Sequence, residues 1–443
     1  MTAIEYPESS GTARAAAPSR RSAGAAVAIV FLACALLPIQ ATIGPLYVPP
    51  YRLMLLLTTL PCLALLLSGT RGRVRLADAA MLAYALWAVL SLTVAHGPGQ
   101  AVESGGIYFV EAFGAYALAR CCIRSAEDFR RVYRVYLLLV VLCVPVGLYE
   151  SLTSHFLVSQ LFGMVFPVHR PPLMEPRMGL FRAAGTFQHP ILFGVFCAGI
   201  VGIGAAVIGR RRGWLAIGVG PAGSFFSLSA GPLVAIFCQF ATIAWNRLTK
   251  SIPARWWILL GIVFAMYVTV DVLSNRSPVE VFISYLTFNS GSAYNRVLIW
   301  QFGTAEVARH PLFGIGMNEW ENPWWMSQSM DNFWLYTAVH YGLPALALLA
   351  LAILAMVAAL TRLTGIDEEL VRYRLGWMTT LCGLAIAGAT VHFWQNVFCI
   401  FMFILGSAAW MLDHRPAQTP AAGAEPSVPR PPRVLPPKPR ARV

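Results

Sequence analysis

Runs of about 20 mostly apolar residues, broken by short polar stretches, recur along the chain from residue 24 to residue 412. A helix needs about 20 such residues to cross the roughly 30 Å hydrocarbon layer of a membrane. The runs lie at 24–44, 49–68, 76–95, 104–120, 133–152, 189–209, 213–228, 231–247, 256–274, 333–360, 375–392 and 397–412. Inside hydrocarbon every backbone N–H and C=O must be paired within the chain, so these runs are expected to be helices. The fold class that follows is all-α membrane, a polytopic helical bundle of about 12 transmembrane helices.

Charge supports the same layout. Of 443 residues, 57% are hydrophobic and only 12% charged, which excludes an ordinary soluble globule, where about a quarter are charged. The formal net charge of +13 does not mark a nucleic-acid binder, because the basic residues stand in short clusters between apolar runs and form no single face. The clusters are Arg14/Arg20/Arg21, Arg71/Arg73/Arg75, Arg120 to Arg134, Arg210/Arg211/Arg212, Arg247/Lys250/Arg255, Arg362/Arg372/Arg374, and Arg430, Arg433, Lys438, Arg440 and Arg442 near the end. They fall in every second loop, so positive charge assigns those loops and both termini to the cytoplasm.

The expected layout is a cytoplasmic N-terminal segment (1–23), a transmembrane domain (24–412), two long outer loops (153–188 and 275–332) and a Pro/Arg-rich cytoplasmic tail (413–443). The tail cannot bury a core and is expected to be disordered. Arg20-Arg21 before an apolar run resembles an export signal, but the run from Gly24 is too long and lacks an A-x-A site, so it is expected to be an uncleaved first span. Nine cysteines are scattered without CxxC or Cys/His spacing, so no disulfide framework and no metal site are expected.

Ionisable residues inside membrane spans are costly and mark either internal pairs or function. Arg52, Glu111, Glu150 and Asp271 all fall toward the outer ends of their runs, and Asp78 alone sits toward the cytoplasm. Such groups can pair with one another, or line a polar cavity that opens outward. In the second long loop, Tyr294 to His310 is expected to form a helix lying on the membrane, with Val297, Trp300 and Val307 on one stripe around Thr304, ended by Pro311. Trp320, Trp324, Trp325 and Trp334 fit an interfacial aromatic belt, or else stacking platforms for sugars.

Three short motifs stand in a fixed order: Arg182-x-x-Gly185-x-Phe187-x-His189-Pro190 at the start of a span, Arg296-x-x-x-Trp300 before His310-Pro311-Leu312-Phe313-Gly314-Ile315-Gly316, and Asn332 followed after nine residues by Gly342-Leu343. Together they resemble the O-antigen ligase and polymerase family of bacterial inner-membrane proteins, with the match covering about residues 180–350. The resemblance implies a multi-pass protein of the bacterial inner membrane whose long loops are periplasmic. It also implies a glycosyltransferase that moves a saccharide from an undecaprenyl diphosphate carrier to a sugar hydroxyl, in O-antigen or exopolysaccharide polymerisation or ligation. It carries Arg296 as a diphosphate contact and the Asp331-Asn332 position as the catalytic one. Two departures favour a polymerase over a lipid A core ligase. Asp331 stands where family ligases have His, and Ser227-Leu228-Ser229-Ala230-Gly231 lacks the Arg that follows the Ser of that corner.

Attack by a sugar hydroxyl on an anomeric carbon bonded to diphosphate requires a base and a cation for the leaving group. Guanidinium pairs bidentately with phosphate oxygens and stays charged, which suits Arg296 and Arg182, with Arg52 in support. Asp331 is the candidate base, with Glu111, His189 and His340 as further acid–base groups; Tyr294, Trp300, His310 and Asn332 complete the candidate binding set. Asp-Asn directly before an apolar run is equally a helix-start signal. No cofactor is expected. The expected partners are the lipid-linked donor, a saccharide acceptor, membrane lipid and other polysaccharide-assembly proteins, with no nucleic acid. Two other classes remain: a secondary transporter or lipid-linked saccharide flippase, and a non-catalytic scaffold of an export complex.

Overall fold

A computed structural model describes residues 23–414 apart from 45, 276 and 286–289, and leaves out the side chains of 43, 210–212, 283–285, 290 and 292. The expected N-terminal segment with Arg14, Arg20 and Arg21, and the tail from residue 415 onward, lie outside the described residues.

The first half comprises α1 (Ala23–Ala35), a small ribbon of β1 (Thr42–Ile43) and β2 (Leu46–Tyr47), α2 (Pro50–Leu67), α3 (Leu76–His96) and α4 (Pro98–Phe109). α4 continues through a π-helical turn (Val110–Gly114) into α5 (Ala115–Cys122), which is followed by α6 (Ala126–Thr153) and the short α7 (Leu157–Phe162). The second half runs through α8 (Pro190–Ala198), α9 (Val201–Val207), α10 (Arg210–Phe226), α11 (Ala230–Leu248), α12 (Arg255–Leu273), α13 (Pro278–Tyr285), α14 (Ser290–Arg309), α15 (Phe333–Thr361), α16 (Glu368–Gly388) and α17 (Gln395–Gly406).

Among the described residues, seven helical stretches are long and apolar enough to cross a membrane: α2, α3, α6, 190–207 (α8 with α9), α12, α15 and 395–412 (α17 with its last turn). The other five apolar runs are helical too, but each carries something that shortens or dilutes it. α1 has 13 residues, the π turn divides 104–120, and α10 begins with three arginines and holds Pro221. α11 includes Gln239, Asn246 and Arg247, while α16 starts with Glu368, Glu369, Arg372 and Arg374.

Burial separates centre from rim. In 190–207 and 395–412, 89% of residues are buried, whereas α12 buries none. A helix that is apolar all round and buries nothing within the chain is suited to lipid contact.

α15 is broken at Gly342, whose φ of 83° and ψ of 169° are not helical. Pro344 has no N–H and the Leu343 N–H turns to the Pro311 carbonyl (2.8 Å), so the carbonyls of Val339 and His340 lose their helical partners. The Gly314-Ile315-Gly316 segment supplies replacements: Ile315 N–H donates to Val339 (2.9 Å) and Gly316 N–H to His340 (2.9 Å). Trp87 Nε1 takes the Tyr341 carbonyl at 3.1 Å. Two of the motifs separated in sequence are thus one hydrogen-bonded unit.

Candidate functional site

The stretch beginning at Arg182 is anchored by Glu150 of α6. Its Oε2 accepts from Ala184 N–H (2.9 Å) and Gly185 N–H (2.8 Å), which converge because Gly185 takes a left-handed φ of 59°. Glu150 therefore serves to fix the turn. His189 closes the stretch as the N-cap of α8, its Nδ1 accepting from Ile191 N–H at 3.2 Å, and Pro190 starts the helix.

This anchoring delivers Arg182 to the corner between α10 and α11. Its Nε donates to the Ser227 carbonyl (3.3 Å) and its Nη2 to Ser229 Oγ (2.8 Å). Arg177, from the same loop, donates through Nη1 to the Leu228 carbonyl at 2.8 Å. The corner that lacks its own arginine is thus occupied by two arginines from a neighbouring loop. Arg177 was not among the residues expected from the sequence. The available signal was its sidedness, since arginines in a loop assigned to the outer face run against the charge rule and ask for a reason.

Arg296 and Asp331 approach from the second long loop. That loop builds its own small core from Leu298, Ile299, Ile315, Trp320, Met326, Met330, Leu335 and Val339, which holds α14 against α15. The buried stripe of α14 is Arg296, Ile299, Gly303 and Glu306; Val297, Trp300 and Val307, expected to form the apolar face, are only half-buried beside it. The register differs because Gly303 lets α15 approach closely, a Cβ there meeting Leu335 Cδ2 at 2.6 Å, and because the two inward polar residues have uses. Glu306 accepts from Arg309 Nη2 (2.5 Å) and Glu321 N–H (3.1 Å) and faces His310 Nε2 at 3.6 Å. Arg296 is 9% exposed, and its buried Nη1 has no hydrogen-bond partner among the described residues.

Asn332, and not Asp331, caps α15, its side chain accepting from Leu335 N–H at 3.0 Å. The Asp331 carboxylate is therefore free of the helix start and half-buried, accepting from Ser329 Oγ at 3.3 Å. Burial pushes its carboxyl above the usual carboxylate range, against the pull of Arg296, Ser329 and Arg182. Burial brings Arg182 down to about 10, with Arg177 and Arg296 acting in the same sense and Asp331 opposing. Burial likewise lowers Arg296, with Asp331 opposing and Arg177 adding. These four groups share one electrostatic neighbourhood, and all three arginines stay cationic at neutral pH.

Arg52 and Glu111 pair with each other. Arg52 Nε and Nη2 reach Glu111 Oε1 at 3.0 and 2.8 Å, Tyr51 OH donates to the same oxygen at 3.0 Å, and Arg52 Nη1 donates to the Tyr47 carbonyl. Glu111 lies in the π-helical turn, an irregularity often found at functional sites. Beside this pair, Gln40, Thr42, Tyr47, His169, Gln188 and Gln395 line a cavity of about 450 Å³, with Gln395 in a left-handed conformation (φ 52°) rare for a residue with a side chain. Gln188 Nε2 reaches Tyr47 OH at 3.5 Å, so the 182–189 stretch has the arginine corner at one end and this cavity at the other.

Of the remaining candidates, Tyr294 is exposed, and Trp300 packs on the loop core. His340 is held by the Gly316 carbonyl (Nδ1 to O, 2.5 Å) and stacks on Tyr336 at 4.0 Å. Tyr336 also stacks on His392, which meets Trp394, which meets His189, a ring ladder that sequence analysis did not find. Of the tryptophans expected to form an interfacial belt or sugar platforms, Trp324 and Trp325 are exposed. Trp320 is inside the loop core and Trp334 Nε1 is bonded to the Ala385 carbonyl at 2.9 Å. Among the described residues, no group of three or more His, Cys, Asp or Glu is placed to hold a metal ion.

No protein-family model matches the chain, and no curated protein matches it.

Proposed function

We propose that the chain is a membrane glycosyltransferase of about twelve spans in the bacterial inner membrane, with both termini cytoplasmic. In this reading it moves a saccharide from an undecaprenyl diphosphate carrier to a sugar hydroxyl on the periplasmic face, in polymerisation in preference to lipid A core ligation. The observation that carries this is Arg296 Nη1, a buried guanidinium nitrogen without a partner among the described residues, in the electrostatic neighbourhood of Arg182, Arg177 and Asp331. A buried unpaired cation is unfavourable unless an anion completes it.

The acceptor O–H attacks the anomeric carbon, its proton passes to the Asp331 carboxylate, and the carbon–oxygen bond to diphosphate breaks. Undecaprenyl diphosphate then leaves with its charge held by Arg296, Arg182 and Arg177. A carboxyl raised by burial is a stronger base than an ordinary aspartate, which suits proton abstraction near neutral pH. The amide-rich cavity fits sugar hydroxyls, which need paired donors and acceptors more than charge. Arg52 and Glu111 would support it from behind Tyr47, not act as diphosphate ligands, since each already satisfies the other.

The broken helix at Gly342 is the observation that favours a carrier, because carriers bind substrates and ions at such breaks. Here the carbonyls freed by the break are taken by Ile315, Gly316 and Trp87. Purified protein given lipid-linked donor in detergent separates the two readings: an enzyme lengthens or transfers the saccharide with no sealed compartment, and a carrier leaves it unchanged.

A further inference from the structure

The end of the bundle opposite the arginine corner holds a second cavity, of about 500 Å³, between α9, α10, α11 and α16. It forms where α9 presents Gly202, Ala205 and Ala206, residues too small to fill the space between neighbours. Ile217, Ile243 and Leu375 complete an apolar wall.

The charged groups at this cavity are both basic, with Asn246 as a neutral polar neighbour. Arg247 and Arg372 line it, both exposed, and neither makes an ion pair or a side-chain hydrogen bond among the described residues. Several other arginines at this end are in ion pairs: Arg120 on Asp78, Arg75 on Asp413 at 2.6 Å, and Arg130 on Glu127 and Glu369. No Asp or Glu lines the cavity. Thr379, 1% exposed, lines it as well, and its hydroxyl has no partner among the described residues. A buried hydroxyl left without a hydrogen bond is uncommon and unfavourable, and it points to a group that the chain does not itself supply.

We propose that this cavity is a binding site for an anionic phospholipid of the surrounding membrane. The phosphate lies between Arg247 and Arg372, Thr379 donates to a headgroup or ester oxygen, and part of one acyl chain runs along Ala205, Ile217, Ile243 and Leu375. The two unpaired cations select an anion, and the apolar wall selects one that carries a hydrocarbon chain. A soluble phosphate would use the arginines but leave the wall bare. The site stands at the end assigned to the cytoplasm and does not depend on the transferase reading.

The test uses the full chain, delipidated in a neutral detergent, with thermal unfolding and native mass spectrometry read after adding phosphatidylglycerol, phosphatidylcholine or inorganic phosphate. Phosphatidylglycerol is expected to bind and to raise the unfolding temperature, and the other two are not. Arg247→Gln with Arg372→Gln is expected to weaken that binding about tenfold or more, the scale of one charge-assisted hydrogen bond. Arg247→Lys with Arg372→Lys should restore most of it, and Ala205→Leu, which fills the slot and keeps both charges, should weaken it. Lys250→Gln with Arg362→Gln, at the same end but outside the cavity, should leave it intact. The proposal is overturned if phosphatidylcholine or inorganic phosphate reproduces the shift, if the outside pair matters as much as the lining pair, or if Ala205→Leu and the double glutamine variant both bind like the parent.

Discussion

Arg296 and Asp331 are each placed where burial opposes their charge, so their effects on stability and on activity should separate. Arg296→Gln is expected to change stability by about 1 kcal/mol or less, because its Nη1 has no partner to lose, while abolishing transfer. Chemical unfolding and an activity assay on the same preparation check this. For Asp331 the sign follows from its raised carboxyl. A carboxyl held higher in the folded than in the unfolded chain contributes stability fully present below the unfolded value and lost as pH rises through the folded value. Above the folded value the ionised Asp331 therefore opposes folding, and Asp331→Asn should raise the melting temperature there while cutting the rate about 100- to 10,000-fold. In the parent, the rate should fall as pH drops through a value above the roughly 3.9 of a free aspartate. Arg182, Arg296 and Asp331 were legible as residues of interest because guanidinium and carboxylate suit the chemistry. That Asn332 and not Asp331 caps α15 was not, since Asp and Asn cap equally well and only the backbone decides between them.

At the scale of elements, the break in α15 is the feature most exposed to a single change. Gly342 has φ of 83°, and a Cβ there would strike the Leu312 carbonyl carbon and oxygen. Gly342→Ala should destabilise by about 1–3 kcal/mol from backbone strain alone and should loosen the 311–316 segment, seen as faster amide exchange there. The Arg52–Glu111 pair makes the opposite case to Arg296: Arg52→Ala strands a buried carboxylate and should cost about 3–5 kcal/mol, with Arg52→Met plus Glu111→Leu recovering most of it. Helix positions were readable from apolar runs because lipid and core both select them. The register of α14 was not, because its buried stripe mixes Ile299 and Gly303 with Arg296 and Glu306, and Glu306 answers to Glu321 and His310 instead of to a hydrophobic stripe.

For the whole molecule, the distribution of positive charge predicts sidedness that hydropathy alone leaves open. Single cysteines placed at Tyr294 and at Lys250 in a cysteine-free background should label from opposite sides of intact cells, Tyr294→Cys with an impermeant reagent and Lys250→Cys only after permeabilisation. The apolar pattern announced a helical bundle, and the helices lie where the runs lie; among the described residues seven have the length and apolarity to cross a membrane by themselves, since the rest depend on neighbours to cover Gln239, the π turn or their charged ends. Contacts between distant loops, such as Arg177 at the Leu228 corner or Gly316 on His340, leave no local trace in composition or periodicity. The most direct measurement is saccharide transfer by purified protein supplied with an undecaprenyl diphosphate-linked donor in detergent, comparing the parent with Asp331→Asn and Arg296→Gln. Transfer by the parent and its loss in both variants, with folding intact, is the expected result. Full transfer by both variants, or none by the folded parent with its native donor, would contradict a periplasm-facing transferase built on Arg296 and Asp331.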